Sequence, residues 1–409
     1  MREMRRESPY PLVALDVAQH LIMARVAPLG VELVATLAAD GRVLAATLSA
    51  PAPIPEVAKA AMDGYALRTD DGLVERRVVA ALRPGSAPGL PLEPGTAVRI
   101  MTGAPLPAGA DAMIPVEQTT EHDGVLRIVR HLQPGEYVHT IGQDVAQGAV
   151  VLTQGHSLGA PEVGILATLG FAQTPVYRRP RVAVLATGDE VCEPGTPRPL
   201  GAVYDANRYA LLAAAREAGC TVVDLGIARD TYAEQRAAML QGLAQADVLI
   251  TSGGVSMGTH DLIKPLLAEL GTIHFGRIAC KPGQPTTFAT IGDQLAFGLP
   301  GYPVSSLVAF ELCVRPALRA LQGDTHPWRP QVRVTLTMPL RPSSDRPEYQ
   351  RVSIRHEDGR LLAYTTGNQG SSRLLSLVGA NGLLHVPPAA TPYPIGHSLT
   401  ALLLGPIFS

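Results

Sequence analysis

The chain has 409 residues, of which 46% are hydrophobic and 17% are charged, and its formal net charge is −2. This length can form two to four domains with large cores, and the near-neutral charge argues against a nucleic-acid-binding surface. No apolar run reaches the roughly 18 residues that span a bilayer, and the charged start at 1–7 lacks the apolar segment of a signal peptide, so we expect a cytoplasmic protein without membrane contact.

The cysteines are spread along the chain at Cys192, Cys220, Cys280 and Cys313. They form neither a Cys-x-x-Cys pair nor a cluster with histidine. We therefore expect free core thiols, with no disulfide framework and no structural zinc site.

The first part of the chain has the pattern of two helices around a small β module. Apolar residues at helical spacing predict a helix over 11–26. Pro161-Glu162 in a first turn and Gly170 just past the end predict a second helix over 157–170. Short strand-like runs separated by Pro/Gly pairs predict an all-β module over 76–138, and the proline-rich stretch 49–57 predicts a domain junction. The two helices can pair into one layer, in which case the β module is an insertion.

From Arg181 the pattern changes to alternating strands and helices, which predicts a parallel sheet with right-handed crossovers. The predicted strands are 182–186, 221–226, 247–251 and 272–278, and the predicted helices include 208–218, one after a capping box at Thr231 and Glu234, and one from about 303 to 321. After Thr325, alternating polar and apolar residues predict a separate antiparallel β domain. Arg351 in that domain is either an outward-facing strand residue or part of a site.

Polar residues follow each predicted strand of the sheet: 187–190, 229–230, the 252–261 loop and Lys281. Carboxyl ends of parallel strands share one edge, where ligands of open α/β sheets bind. We therefore expect a ligand site there that gathers the acids Glu190, Asp205, Asp230 and Asp261. The glycine-rich 252–261 loop is either a phosphate cradle of bare backbone N–H groups or only a turn that needs glycine.

A cluster of carboxylates without histidine or cysteine favours Mg²⁺, held by a few protein oxygens and by substrate phosphates. Lys281 can neutralise developing negative charge. His260 and His274 lie near this edge in the sequence, but we interpret both as solvated or core histidines. The residues thus predict Mg²⁺-assisted chemistry on a phosphorylated or oxyanionic substrate, without naming that substrate.

Over essentially its whole length, the chain resembles the molybdopterin molybdenumtransferase family of MoeA and the gephyrin E domain. The motifs that carry the resemblance are Ala61-Met-Asp-Gly-Tyr-Ala, Ile100-Met-Thr-Gly-Ala-Pro, Gly142-Gln-Asp, Thr187-Gly-Asp-Glu, Tyr204-Asp-Ala-Asn, Thr251-Ser-Gly-Gly-Val-Ser-Met-Gly, Lys281-Pro-Gly, Leu299-Pro-Gly-Tyr-Pro-Val-Ser and Ser371-Ser-Arg-Leu-Leu-Ser.

The resemblance implies a multidomain α/β plus β protein. Its parts would be a discontinuous α-rich dimerisation domain at 1–48 and 140–178, an inserted β domain at 49–139, a doubly wound parallel α/β domain like the molybdopterin adenylyltransferase fold at 179–325, and a C-terminal β barrel at 326–409. It also implies a homodimer with a composite active site, and transient contact with the adenylyltransferase and with apo-molybdoenzymes.

The implied activity is the insertion of molybdate into the dithiolene of adenylylated molybdopterin, with Mg²⁺-dependent release of AMP. The implied catalytic set is Asp63, Thr102, Asp144, Glu190, Asp230, Asp261 and Lys281, and the implied metal ligands are Glu190, Asp230 and Asp261. The implied substrate-binding set is Thr187, Gly188, Asp189, Asp205, Ser252, Gly253, Gly254, Ser256, Gly258, Arg277, Pro300 and Pro303. The implied molybdate pocket is Lys281, Pro282, Ser305, Arg351 and Ser372.

The chain departs from the family pattern at three places. The 139–140 segment, His-Thr, lacks the arginine that members often carry before Asp144, Gln284 replaces a second lysine, and Tyr302 replaces an asparagine. Three alternatives stay open: a pterin-binding or adenylyl-transfer homologue without metal insertion, a tungstate-preferring enzyme, and a scaffold that binds receptor peptides.

Overall fold

A computed structural model describes residues 10–409 except 74, 88, 90 and 256–260. The chain divides into two compact units. The large unit comprises Met1–Ala45, Gly155–Gly159 and Pro175–Ser409, and the small unit comprises Ala46–Gln154 and Ala160–Thr174. The domain boundaries inferred from the sequence stay a prediction.

The predicted helices are confirmed, with bounds that are shorter or shifted by a residue. The α-helices are α1 (Leu15–Met23), α2 (Ala160–Thr168), α3 (Asn207–Glu217), α4 (Tyr232–Gln245), α5 (Ile263–Leu270), α6 (Pro303–Ala309) and α7 (Arg315–Leu321), and a π-helical stretch, Phe310–Val314, joins the last two. In α1 the buried residues Leu15, Ala18 and Ile22 lie on one face and pack into the core of the large unit. No helix in the described part of the chain is long and apolar enough to cross a membrane.

The predicted β module is confirmed as a six-stranded sheet in the small unit, in the order β8-β5-β7-β6-β10-β9. The strands up to residue 177 are β1 (Val13–Ala14), β2 (Val31–Ala35), β3 (Leu48–Ser49), β4 (Lys59–Ala60), β5 (Gly64–Leu67), β6 (Arg76–Leu82), β7 (Thr96–Ile100), β8 (Ala112–Pro115), β9 (Thr119–His122), β10 (Val125–Ile128), β11 (Val138–His139), β12 (Val150–Leu152) and β13 (Gln173–Tyr177). Antiparallel pairing of β5 with β7 places Gly64 opposite Ile100. That register brings two motifs of distant sequence together.

The α/β domain of the large unit has a second six-stranded sheet, in the order β17-β14-β18-β22-β21-β19. Its part of the chain contains β14 (Arg181–Thr187), β15 (Val191–Cys192), β16 (Val203–Tyr204), β17 (Thr221–Ala228), β18 (Val248–Ser252), β19 (Thr272–Phe275), β20 (Ile278–Ala279), β21 (Thr287–Ile291) and β22 (Gln294–Leu299). The first four strands of the sheet pair in parallel. Residues of β14 alternate between the two hydrophobic cores, with Val182 and Val184 on one side and Ala183 and Leu185 on the other, so the sheet is covered on both faces.

One strand assignment from the sequence was wrong in detail. We expected 272–278 to be the fourth strand of the parallel sheet, but β22 occupies that place and forms an unpredicted hairpin with β21. β19 pairs antiparallel to β21, so it still runs in the same direction as β18. The Gly292-Asp293 pair between two strand-like runs was the overlooked hairpin signal.

The predicted C-terminal β domain is confirmed as a closed barrel, in the order β23-β25-β24-β26-β27. Its strands are β23 (Gln331–Leu336), β24 (Glu348–Glu357), β25 (Arg360–Thr365), β26 (Gly382–Val386) and β27 (Ser398–Leu403). A parallel bridge between Lys281 and Glu348 joins the barrel to the α/β domain.

Candidate active site

A cavity of about 690 Å³ opens at the carboxyl ends of the parallel strands in the large unit. It is lined by Ala186, Thr187, Gly188, Glu190, Val191, Val203, Tyr204, Asp205, Ala206, Asn207, Asp230, Ser252, Gly253, Gly254, Val255, Asp261, Pro285, Pro300, Gly301, Tyr302, Pro303 and Ser372. The structure thus brings together the four acids that the strand order predicted at one edge.

The loop after β14 shapes the acidic side of this cavity. Gly188 has φ of +139°, and a Cβ there would lie 2.6 Å from a carboxylate oxygen of Glu190. Glycine readily adopts this backbone conformation, and its lack of a Cβ leaves room for the Glu190 carboxylate. The Asp189 N–H donates to Asp230 Oδ2 at 3.4 Å, and the Asp230 N–H donates to Asp189 Oδ1 at 3.2 Å. Asp189 thus joins two strand-end loops.

Gln235, which the sequence analysis missed, orients Asp230. Its side chain is wholly buried in the first turn of α4, and Nε2 donates to Asp230 Oδ1 at 3.0 Å. The predicted cap of this helix is present, because Thr231 accepts from the Glu234 N–H. The Glu234 carboxylate accepts from the Arg229 N–H at 3.2 Å, which fixes the residue before Asp230. The cap therefore also holds a site loop in place.

Asp205 is buried, and both of its carboxylate oxygens are engaged within the protein. They accept from the Arg208 N–H at 3.0 Å and from Arg208 Nε at 2.7 Å. Arg208 also binds Asp224 and Glu193. Burial acts to lower the pKa of Arg208, but the hydrogen bonds to these carboxylates raise it above its ordinary value. Asp205 and Arg208 together hold the cavity wall that leads into α3.

Asn207 is a second residue that the sequence analysis did not assign. Its Nδ2 donates to Ser252 Oγ and to the Gly301 carbonyl, both at 2.7 Å. It therefore ties the loop after β18 to the loop after β22. The Tyr204-Asp-Ala-Asn motif contained this residue and was the available signal.

The glycine-rich loop only partly matches the predicted phosphate cradle. The Gly253 N–H donates to the Leu299 carbonyl at 3.1 Å, so this amide is not free for an anion. Ser256 and Gly258 lie outside the described residues, and the cradle stays a prediction. Asp261 lines the cavity. Arg277 is not among the described residues that line the cavity. Burial lowers the pKa of Lys264, Asp261 opposes that shift, and Arg277 adds to it.

Lys281 and Arg351 lie where the α/β domain meets the barrel. Lys281 Nζ donates to Glu348 Oε1 at 2.6 Å, an ion pair that the sequence did not predict. Arg351 is 1% exposed, and its Nε donates to Ser376 Oγ at 3.0 Å. Burial lowers the pKa of Arg351 to about 10, and Glu348 opposes that shift. The interpretation of Arg351 as an outward-facing strand residue is therefore wrong.

The other predicted molybdate residues surround the same region. A Cβ at Gly283, next to Pro282, would lie 3.7 Å from the Ser305 carbonyl. The Val304 N–H donates to the Ser371 carbonyl at 3.1 Å, which joins the start of α6 to the loop that carries Ser372. Arg351 reaches the same loop, because its guanidinium donates to the Gly370 carbonyl at 3.4 Å. Ser372 lines the cavity, whereas Lys281, Pro282, Ser305 and Arg351 are not among its described lining residues.

Asp63 and Thr102 meet in the small unit. Asp63 Oδ1 accepts from the Thr102 N–H at 2.7 Å and from Thr102 Oγ1 at 2.9 Å. The first of these bonds, then the second, lowers the pKa of Asp63. A Cβ at Gly64 would lie 1.9 Å from the Ile114 carbonyl oxygen, so glycine is needed after Asp63 for β5 to approach β8.

Asp144 is exposed, and its N–H donates to the Ile54 carbonyl at 2.9 Å.

The described residues contain no group of three or more His, Cys, Asp or Glu that could hold a metal ion alone. The acids of the cavity nevertheless fit Mg²⁺, which is usually held by one or two carboxylates together with water and substrate phosphates. A softer metal would need nitrogen or sulfur ligands, and the described residues that line this cavity include no histidine or cysteine.

Three family models cover most of the chain. Residues 13–170 match the MoeA N-terminal region (domain I and II), residues 183–320 match a probable molybdopterin binding domain, and residues 333–404 match the MoeA C-terminal region (domain IV). The matched segments follow the order of the structural parts described above.

Curated relatives agree with these models. Molybdopterin molybdenumtransferase 2 of Mycobacterium tuberculosis is 37% identical over 362 residues, covering 85% of this chain and 89% of the relative. Molybdopterin molybdenumtransferase of Haemophilus influenzae is 36% identical over 379 residues, covering 90% and 93%. Gephyrin of Dictyostelium discoideum is 33% identical and covers 98% of this chain and 64% of the relative.

A solved structure shares the fold over nearly the full length. The crystal structure of the molybdopterin biosynthesis MoeA protein from Pyrococcus horikoshii aligns with a TM-score of 0.85 at 29% identity, covering 97% of this chain and 100% of that chain. The predicted fold class is confirmed by this match and by the sheet and barrel seen here. The chain belongs to the MoeA family of molybdopterin molybdenumtransferases, and it is a transferase of molybdenum cofactor biosynthesis.

Proposed function

We propose that the chain inserts molybdate into the dithiolene of adenylylated molybdopterin, with Mg²⁺-dependent release of AMP. The observation that carries the proposal is that one cavity is lined both by the acids Glu190, Asp230 and Asp261 and by Ser372. Ser372 belongs to the loop that Arg351 contacts. A phosphorylated substrate and a tetrahedral oxyanion can therefore be held side by side.

The acidic side of the cavity suits the phosphate end of the substrate. One or two of the acids Glu190, Asp230 and Asp261 would hold Mg²⁺ together with the substrate phosphates, and the ion would offset the charge of the phosphates and of the leaving AMP. Asp189 and Gln235 keep Asp230 in position through hydrogen bonds of 3.4 Å and 3.0 Å. Prepositioned charge of this kind lowers a barrier because no reorganisation is needed during the reaction.

The residues around the loop that carries Ser372 suit the oxyanion. Arg351 offers a charged guanidinium in a buried setting, and Lys281 and the Ser305 and Ser372 hydroxyls supply further hydrogen-bond donors. We propose that molybdate, as the second substrate, binds to these residues and to Pro282. Tungstate has the same shape and charge, so a competition experiment with both anions decides which one the pocket prefers.

We also propose a homodimer in which Asp63, Thr102 and Asp144 of one subunit complete the cavity of the other. This rests on family membership, as does the proposed transient contact with the adenylyltransferase and with apo-molybdoenzymes. The cytoplasmic location expected from the sequence stays a prediction.

The experiment is to incubate the purified chain with adenylylated molybdopterin, Mg²⁺ and molybdate, and to measure AMP together with the molybdenum cofactor. We expect AMP and cofactor in equal amounts, and neither product when Mg²⁺ is removed. Bound pterin without AMP release would instead establish a binding homologue that lacks metal insertion. AMP release that does not depend on an oxyanion would establish an adenylyl-transfer role.

A further inference from the structure

Glu348 lies in the region where Lys281 and Arg351 meet, and neither the composition nor the family motifs assigned it a role. It begins β24 and is 6% exposed. Its Oε1 accepts from Lys281 Nζ at 2.6 Å, and its Oε2 accepts from Gln350 Nε2 at 2.8 Å. A buried carboxylate is stable only when paired in this way, so Glu348 is a built feature of the pocket.

The backbone holds Glu348 beside Lys281. The Lys281 N–H donates to the Pro347 carbonyl at 3.0 Å, and the Tyr349 N–H donates to the Lys281 carbonyl at 2.7 Å. These bonds form the bridge between the α/β domain and the barrel. Lys281 itself is exposed while its ammonium is bound to the buried acid. The main chain therefore places Lys281 and Glu348 side by side.

The two cations of the region outnumber its buried carboxylate by one charge. Lys281 and Arg351 each carry a positive charge, and Glu348 carries a negative one that is felt by both of them. A tetrahedral dianion entering here gains from the two cations but is repelled by the carboxylate. It must also compete with Glu348 for the Lys281 ammonium.

We propose that Glu348 is an internal counter-anion of the oxyanion pocket, which holds Lys281 before the oxyanion binds and sets the affinity for the oxyanion through its negative charge. The inference rests on the proposed function, in which Lys281 and Arg351 bind molybdate. Glu348 thus determines the affinity of the pocket for the oxyanion and its selectivity between dianions and monoanions. It keeps the first binding of the dianion weak and reversible.

The test is direct binding of molybdate to the full chain by calorimetry at fixed pH and ionic strength, without turnover. We expect Glu348→Gln to tighten molybdate binding about tenfold or more, because one repulsive charge within a few ångströms of the dianion is removed. Perrhenate, a tetrahedral monoanion, should gain less from the same substitution. Glu348→Asp keeps the charge and should not tighten binding.

Glu357→Gln is the matched control, because Glu357 ends the same strand and accepts from the Tyr364 hydroxyl at 2.9 Å. It should leave the affinity for molybdate unchanged. Glu348→Ala removes the same charge but leaves a smaller side chain. Circular dichroism checks that each variant folds, and either folded variant without the charge tests the inference. Unchanged or weaker binding in that variant would overturn it while leaving the proposed function in place. If the unmodified chain binds no molybdate, the pocket assignment fails as well.

Discussion

Asp63 shows how two residues far apart in sequence form one electrostatic unit. Its carboxylate is exposed, yet it accepts two hydrogen bonds from Thr102, and these bonds favour the ionised form. The pKa of Asp63 therefore lies below its ordinary value, and the carboxylate stays negative at a lower pH than a free aspartate. Any stability that this gives is present above the unfolded-state pKa and is lost as the pH falls through the folded-state pKa.

Thr102→Val removes the hydroxyl and leaves the backbone N–H in place. We expect the pKa of Asp63 to rise toward its ordinary value, and the acid limb of the pH–rate profile to move to higher pH. Carbon NMR titration of the Asp63 carboxylate measures the first effect directly. Thr119→Val is the control, because the Thr119 hydroxyl donates to the Val116 carbonyl. An Asp63 pKa that does not change in Thr102→Val would contradict the assignment.

We expect the acids that line the cavity to differ in role from acids elsewhere on the same sheet. Glu190→Ala and Asp261→Ala should each lower kcat by about 100-fold or more, if these carboxylates hold Mg²⁺ or transition-state charge. Asp293→Ala, in the exposed turn between β21 and β22, should leave kcat unchanged. Gel filtration and circular dichroism check that every variant is folded. A normal rate in the Glu190 or Asp261 variant would refute its role.

At the scale of elements, the start of α6 departs from a good helix terminus. Tyr302 occupies the N-cap with φ of −76° and ψ of 131°, and no side-chain hydrogen bond caps the helix. Asparagine, the usual residue at this position of the family motif, accepts a hydrogen bond from the first turn, and tyrosine cannot do so in the same way. The substitution therefore replaces a cap with a 62% exposed aromatic ring beside the cavity.

Tyr302→Asn should raise the free energy of unfolding by about 1 kcal/mol, because it restores the missing cap. Urea unfolding followed by circular dichroism measures the change. Tyr302→Phe is the control and should have no such effect. A loss of stability in Tyr302→Asn would mean that the tyrosine ring contributes more by packing than the cap would contribute.

The sequence predicted single helices and strands well, but it predicted less well which strands pair in the sheet. Helical spacing located α1, the start and stop residues Pro161-Glu162 and Gly170 located α2, and strand-like runs located β14, β17 and β18. The β21–β22 hairpin was missed because a short apolar run such as Leu295–Leu299 does not distinguish a strand from the start of a helix. The Gly292-Asp293 turn signal and the pairing of β22 in register with β18 together resolve that ambiguity.

At the scale of the whole molecule, the predicted catalytic residues fall in both units: Asp63, Thr102 and Asp144 in the small one, and Glu190, Asp230, Asp261 and Lys281 in the large one. A composite site in a homodimer predicts complementation between variants. Co-expressed Asp63→Ala and Asp261→Ala chains should recover about a quarter of the unmodified activity, because half of the dimers are mixed and each has one intact site. Cofactor formation measures the recovery.

Asp261→Ala with Glu190→Ala is the control pair for complementation. Both residues lie in the large unit, so no mixed dimer has an intact site and activity should not return. No recovery by the Asp63 and Asp261 pair would mean that each subunit is self-contained, and the composite site would be wrong.

The sequence by itself determined the family, the fold class and the acids at the strand ends. Periodicity and turn residues act locally, and parallel strands share an edge wherever they pair. Tertiary structure alone decided the partners: Asn207 between two loops, Thr102 on Asp63, and Glu348 on Lys281. A hydrogen bond between residues distant in sequence depends on how elements pack, and residue spacing along the chain does not encode that packing.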